Sequence, residues 1–526
     1  MRQIYTNSLL GLLIALISYG CAENLNPKKS AHTNIEAVTS APVIPVLKRM
    51  ESNAVLRIRV FIPPNTSAKN YQSIQATVNA SSLNSLKELQ IYSNGSEPLF
   101  NTRHQTGVLK PTSENFEIPI NVDMKPGLNY IWIGATLKDD VSLDTDFTLQ
   151  AVSLKDKEGN TLSINKDQSN HSKRTGIAIR KINDDGVNSY RIPGIVTTDK
   201  GTLLSVYDIR YKNSADLPGD IDVGLSRSTD GGNTWEPMKV IMDMGEPHEN
   251  NGVGDPSILF DPITKKIWVA ALWSKGNRSI AGSLPGLSPD TTGQFVLVSS
   301  DDDGLTWSKP YSITSQIKNP KWHLYFNGPG NGIVMQDGTL VFPSQYWDES
   351  RKPGVPHSSV IYSKDNGASW HSGIGAKYNT TEAQVVETTP NTLMLNMRDN
   401  RGKFRSVATT TDLGKTWTEH PTSYKDLIDP VCMASIIKAR VNVNGSMKDV
   451  LFFSNPHTKS GRYNMTIQAS LDMGETWLPA HQLLYDERDC FGYSALTKID
   501  DHTIGVLYEG FRDLYFMRIP VSDIIK

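Results

Sequence analysis

Cysteine is scarce in this chain, with three in 526 residues. Cys21 falls at the end of an N-terminal apolar stretch, which leaves only Cys432 and Cys490 for the body of the protein. Two cysteines do not make a disulfide framework, and no spacing resembles a zinc site. The sequence leaves open whether the two pair or stay free. An excess of one charge is also missing, since 53 Lys and Arg face 55 Asp and Glu. Bulk electrostatics therefore draws the chain neither to nucleic acid nor to an anionic membrane. Long amphipathic helical patterns are absent too, while Thr, Ser, Asn and Gly are common. That combination points to an all-β protein, and the length points to two domains.

The N-terminal apolar stretch, Leu9 to Ile17, follows the positive Arg2 and is too short to span a bilayer comfortably. It reads as a signal peptide over residues 1–21. Gly20 before Cys21 resembles a lipoprotein signal, with Cys21 lipidated, although Ser18 stands where that motif usually carries Leu. A cut after Ala22 would instead give an ordinary secreted protein. Either way the expectation is export, to the periplasm, the cell surface or the medium. Membrane contact is expected only through a lipid on Cys21. Residues 22–45 are polar and rich in Pro, Ser, Thr and Asn, as a flexible tether would be.

What the chain has in abundance is a repeat. Ser228-Thr-Asp-Gly-Gly-Asn-Thr-Trp235 recurs from Ser300 to Trp307, Ser363 to Trp370, Thr410 to Trp417 and Ser470 to Trp477. Successive starts lie 72, 63, 47 and 60 residues apart. The common form is Ser/Thr-x-Asp-x-Gly-x-Thr/Ser-Trp. Asp and hydroxyl side chains can accept bonds from N–H groups of a tight turn, Gly permits positive φ, and Trp covers the turn. Alternating apolar residues precede most copies, so each reads as a hairpin between two strands. Calcium loops are the rival reading, but most copies keep a single Asp, too few oxygen ligands for Ca²⁺. Units of roughly sixty residues with four short strands each predict a six-bladed β-propeller over residues 173–526. Residues 46–167 lack the repeat. They carry strand-like runs separated by turn signals such as Asn94-Gly95, which predicts a small β-sandwich, either binding carbohydrate or acting as a spacer.

The repeat is the Asp box found in sialidases and some receptor propellers. Further motifs make the resemblance to bacterial sialidases detailed over residues 175–526. Tyr190-Arg191-Ile192-Pro193 resembles the family's Arg-Ile-Pro motif, followed by Arg210 and Asp216 at the family's spacing. Gly254-Asp255-Pro256 is similar to an Asp-Pro element beside the sugar, though such a pair also suits a plain turn. Asn327-Gly-Pro-Gly-Asn-Gly332 resembles a glycine-rich loop of the pocket floor. Glu382, sixteen residues before Arg398, matches the family's glutamate and second arginine. Arg462 after Asn455-Pro456, Tyr493 in Phe491-Gly-Tyr493-Ser494, and Glu509 complete the set.

The resemblance implies an exo-α-sialidase, a glycoside hydrolase without metal or organic cofactor. It would act as a monomer on sialylated glycoproteins, gangliosides and oligosaccharides. Arg191, Arg398 and Arg462 would bind the substrate carboxylate, with Glu509 holding Arg191. Arg210 and Asp255 would line the sugar pocket. Asp216 would be the acid/base, Tyr493 the nucleophile and Glu382 its base. A neutral phenol suits a substrate whose own carboxylate would repel an anion, and sialidases use tyrosine where most glycosidases use a carboxylate. Asp220 and Asp222 lie close enough to rival Asp216, and Glu387 rivals Glu382. A trans-sialidase or intramolecular trans-sialidase would share these residues. A non-catalytic sialic-acid-binding propeller would be expected to lose Tyr, Glu or Asp from its centre.

Overall fold

The computed structural model describes residues 34–526 apart from 277 and 279. The signal peptide and Cys21 lie outside the described residues. The chain is all-β, and the α-helical segments that occur are four to six residues long.

The C-terminal body is built from antiparallel meanders in a β-propeller-like arrangement. In the first, Ser189–Thr197, Leu203–Arg210, Ile221–Ser228 and Lys239–Met242 pair in that order. The same course restarts at Val253–Phe260, Leu324–Asn327, Thr380–Thr389 and Ser435–Val443. Ser494–Asp500, Thr503–Glu509 and Leu514–Pro520 form the last run, and its outer neighbour is Ser172–Arg180 from the start of the body. Strands near the axis are packed on both faces, so their side chains are buried without alternation, as in Leu203–Arg210. Rows from adjacent sheets interlock: Leu204 and Val206 share a core with Ile258 and Val269. At the axis, the Asn331 amide donates to the carbonyls of Ile195 and Leu496 and accepts from the Ile195 N–H, tying three segments together.

Each Asp box closes a hairpin as its chemistry requires. In the first, Ser228 donates to Asp230, which accepts from both the N–H and the hydroxyl of Thr234. The Ser228 hydroxyl accepts the Gly232 N–H. The other copies repeat these bonds, so the aspartates are occupied by turn donors. The glycines dock on the neighbouring sheet. A Cβ on Gly304 would meet Leu204, one on Gly367 Trp268, one on Gly474 Met394, and one on Gly232 Phe516 of the last run.

The N-terminal domain has two strand layers around one apolar core that includes Ile58, Ile74, Leu89, Ile118, Ile133 and Phe147. Part of the stretch expected to be a tether is ordered here. Glu36–Ser40 pairs with Asn53–Ile62 and, in parallel, with Thr161–Lys166. Val46–Lys48 adds to the propeller side, parallel to Ser172–Arg180. These strands are too short for a recognisable alternation, and their parallel partners lie more than a hundred residues away. Cys432 and Cys490 are free, buried thiols.

The two domains are bolted together. The buried Lys48 ammonium donates to the carbonyls of Val141, in the N-terminal domain, and Asn233, in the first Asp box. Arg518 bridges Asp144 and the Gly231 carbonyl.

Candidate active site

The sequence-predicted residues stand on strand ends and connections that meet at one end of the axis. Arg191 lies in Ser189–Thr197 at a register shift, and the next residue, Ile192, has φ +59°. Asp255 lies at an equivalent shift in Val253–Phe260, with φ +56°, and Glu382 at another in Thr380–Thr389. Bulges of this kind re-aim side chains at the end of a strand, which here turns them toward the axis. A β-branched residue in the left-handed region is strained. The Glu509 carboxylate holds it there by accepting the Ile192 N–H at 2.9 Å.

Glu509 is a hub. Its oxygens also accept from Arg191 Nε at 3.1 Å and Nη2 at 3.3 Å, and from the Tyr493 N–H at 3.0 Å. The Arg191 guanidinium lies 4.4 Å from the centre of the Phe491 ring and 5.4 Å from that of Tyr493. Its third nitrogen, Nη1, faces Asp216 at 3.5 Å.

Tyr493 is buried, and its hydroxyl donates to Glu382 Oε1 at 2.5 Å. Arg398 Nη1 donates to the Tyr493 oxygen at 3.0 Å and to Glu382 Oε2 at 2.5 Å. The Arg398 Nε is buried without an acceptor. Arg462 lies 5.7 Å from the Tyr493 ring centre and is held by the carbonyls of Phe491 and Val431. Three guanidinium groups thus surround one phenol. Burial, and after it Glu382, pushes the Tyr493 phenol well above its usual range, with Arg398 and Arg191 opposing.

On the other wall, Arg210 is enclosed, at 1% side-chain exposure, whereas Asp216 is 70% exposed on the loop that follows. Arg210 Nη1 donates to Asp216 at 2.8 Å and to the Ser214 carbonyl at 2.7 Å. Partial desolvation raises the Asp216 carboxyl, but Arg210 and Arg191 outweigh it and hold the group below the usual carboxylate range. Burial, then Asp208, Asp216 and Glu382, pushes Asp255 well upward.

The rivals lie elsewhere. Asp220 sits 3.8 Å from Lys212 outside the arginine cluster. Asp222 accepts from the Tyr211 hydroxyl and faces Asp243; burial and that neighbour raise it to about 7. Glu387 accepts the N–H groups of Gln336 and Asn391 and lines a separate cavity of about 520 Å³ with Lys438, Arg440 and Lys498. The glycine-rich loop packs beneath the site, where Asn327 donates to the Asp255 carbonyl and the Gln384 amide to that of Pro329.

Sequence reasoning passed over Asp208, which pairs with Arg210 and lies opposite Arg191 in the strand register. It also passed over the buried pair Arg405–Asp429, with Arg405 donating to the carbonyl of Cys432, which packs in one cluster with Tyr493. The signal for Asp208 was its place two residues before Arg210, on the same strand face.

Comparison with known proteins identifies the family of the chain. A family model described as a BNR repeat-like domain matches residues 201–506, and one described as the N-terminal domain of BNR-repeat neuraminidase matches residues 33–160. The chain belongs to the sialidase family. A sialidase of Bacteroides fragilis is 43% identical over 523 residues, covering 92% of this chain and 94% of that protein. A sialidase of Micromonospora viridifaciens is 34% identical, covering 62% of this chain and 50% of the relative. Among solved structures, the Hadza microbial sialidase Hz136 is 40% identical with a TM-score of 0.85, covering 93% of this chain and all of that one. The N-terminal layers and the propeller therefore recur together in sialidase relatives.

Proposed function

We propose that this chain is an exo-α-sialidase that releases terminal α-linked sialic acid from glycans with retention, through a covalent bond to Tyr493. The observation that carries the reading is the convergence of Arg191, Arg398 and Arg462 on a phenol hydrogen-bonded to a carboxylate. A carboxylate on the anomeric carbon needs fixed cations, and arginine forks match it in geometry and charge. Glu509 pre-orients the first of them.

With the substrate carboxylate among the arginines, the anomeric carbon faces the Tyr493 oxygen. Glu382 draws off the phenolic proton as the oxygen attacks. Arg398 donates to both partners and steadies the charge that develops. Asp216 protonates the departing oxygen and later deprotonates the water that frees the sugar. Arg210 and Arg191 favour ionised Asp216. A bound substrate carboxylate offsets their field and raises Asp216 toward the protonated form an acid needs. The upward-shifted Asp255 and the Arg210 side face the sugar hydroxyls.

Six blades is the count we favour for the propeller. Its support is that Ser172–Arg180 completes a four-strand run with the C-terminal strands, and that the Gly232 turn packs on Phe516 across that seam. Export, with a lipid on Cys21 as the anchor, remains the reading of the N-terminal residues.

Changing Tyr493 to Phe should lower turnover of a fluorogenic sialoside at least about 10³-fold, as removal of a nucleophile does elsewhere. Thermal melting should be little changed. NMR of the wild-type product should show the α-anomer of free sialic acid first. Ordinary turnover by the variant, or a β-anomer first product, would overturn the reading.

A further inference from the structure

We propose that Asp208 is a positioning residue for bond cleavage, one that fixes the acid loop against the opposite wall of the sugar pocket. The inference rests on the reading of Asp216 as the acid. Asp208 ends no chain of its own contacts in solvent, since its side chain is 1% exposed. One oxygen, Oδ2, accepts from Arg210 Nε at 3.1 Å and Nη2 at 2.8 Å. The other, Oδ1, accepts the Asp255 N–H at 2.8 Å.

Both partners belong to the pocket, and they belong to different sheets. Arg210 passes the constraint to the loop, because its remaining nitrogen, Nη1, grips the Ser214 carbonyl and the Asp216 carboxylate. Apart from Arg191, 3.5 Å away, Arg210 is the cation that holds Asp216, whose side chain is largely open to solvent. Asp255 has φ +56°, and its backbone is held by the bond from its N–H to Asp208 and by that of Asn327 to its carbonyl. Gly254 completes the joint. A Cβ there would come within 2.9 Å of Asp208 Oδ1 and 3.1 Å of Oδ2, so only glycine lets the strand lie on the carboxylate.

A proton donor must sit within hydrogen-bond reach of the leaving oxygen. A misplacement of about 1 Å can cost roughly a hundredfold. The cost falls on substrates that need protonation. An aryl leaving group departs as a stabilised phenolate and needs little help, whereas the sugar alkoxide leaving from a sialyl-oligosaccharide needs the acid. A lesion that only lowers the folded fraction, or loosens sialic acid binding, reduces both alike.

The test compares kcat/KM for a 4-methylumbelliferyl sialoside and for sialyl-lactose in full-length wild type, Asp208→Asn, Gly254→Ala and Asp216→Ala, with melting temperatures in parallel. Asn keeps an acceptor for the Asp255 N–H and removes the anion beneath Arg210. Ala at Gly254 leaves the anion and pushes it aside. Both should lose about 10- to 100-fold on sialyl-lactose, and at least about fivefold less on the aryl substrate. Asp216→Ala should show the same selectivity more strongly. If Asp216→Ala is selective while Asp208→Asn and Gly254→Ala lose equally on both substrates, or lose nothing, the positioning role is wrong and the acid assignment stands. If Asp216→Ala is not selective either, the acid assignment fails and takes the proposal with it.

Discussion

Ile192 shows how one buried charge can set a backbone, a side chain and a phenol at once. Its φ of +59° persists because Glu509 accepts its N–H, and the same carboxylate holds the Arg191 fork and the Tyr493 N–H. Glu509 is fully buried. Breaking a buried pair strands the remaining charge, at a typical cost of about 3–5 kcal/mol. Glu509→Ala should therefore lower unfolding stability by about that amount in urea titrations. It should also raise KM for sialosides, because Arg191 loses its orientation. Unchanged KM in a folded variant would remove Glu509 from the site. At this scale the sequence was informative where resemblance supplied an ordered set of motifs, as with Arg191, Arg398 and Tyr493. Asp208 escaped because its meaning depends on Asp255, 47 residues away on another sheet. Spacing favoured Asp216 over Asp220, and Arg191 and Arg210 reach the Asp216 carboxylate.

The Asp box was legible as an element because its chemistry is local. The hydroxyl, aspartate, glycine and second hydroxyl bond to one another within seven residues, so spacing alone describes the turn. What spacing does not give is the surface on which each turn sits. Gly367, at φ +85°, leaves room for no side chain, since a Cβ would lie 2.4 Å from the Trp268 ring of the neighbouring sheet. Gly367→Ala should thus combine a disfavoured backbone with a clash and cost roughly 1–3 kcal/mol from the backbone alone. Urea unfolding monitored by Trp fluorescence measures it, and a loss well under 1 kcal/mol would show that the turn is free to move. The short strands Glu36–Ser40 and Val46–Lys48 were illegible for the opposite reason: each joins a distant parallel partner and carries little pattern of its own.

For the molecule as a whole, the fold works as a ring of sheets whose bulged inner strands present side chains to one point. No single sheet holds the proposed chemistry. Arg191, Asp216, Asp255, Glu382, Arg462 and Tyr493 come from different parts of the circuit, and Glu509 joins the first meander to the last. The N-terminal domain clamps that junction through Lys48 and Arg518. Ring closure thereby becomes a condition for the site, because Arg191 and Tyr493 are brought together only when the ends of the body meet. The central claim is that a phenol held by three arginines and a glutamate takes the sugar as a covalent ester-free glycoside. Incubation of the full-length protein with a 2,3-difluorinated sialic acid, followed by digestion and peptide mass mapping, tests it directly. The account predicts one added fluorosialyl group on the peptide that contains Tyr493, absent from Tyr493→Phe. A label on any other residue, with none on Tyr493, would contradict it.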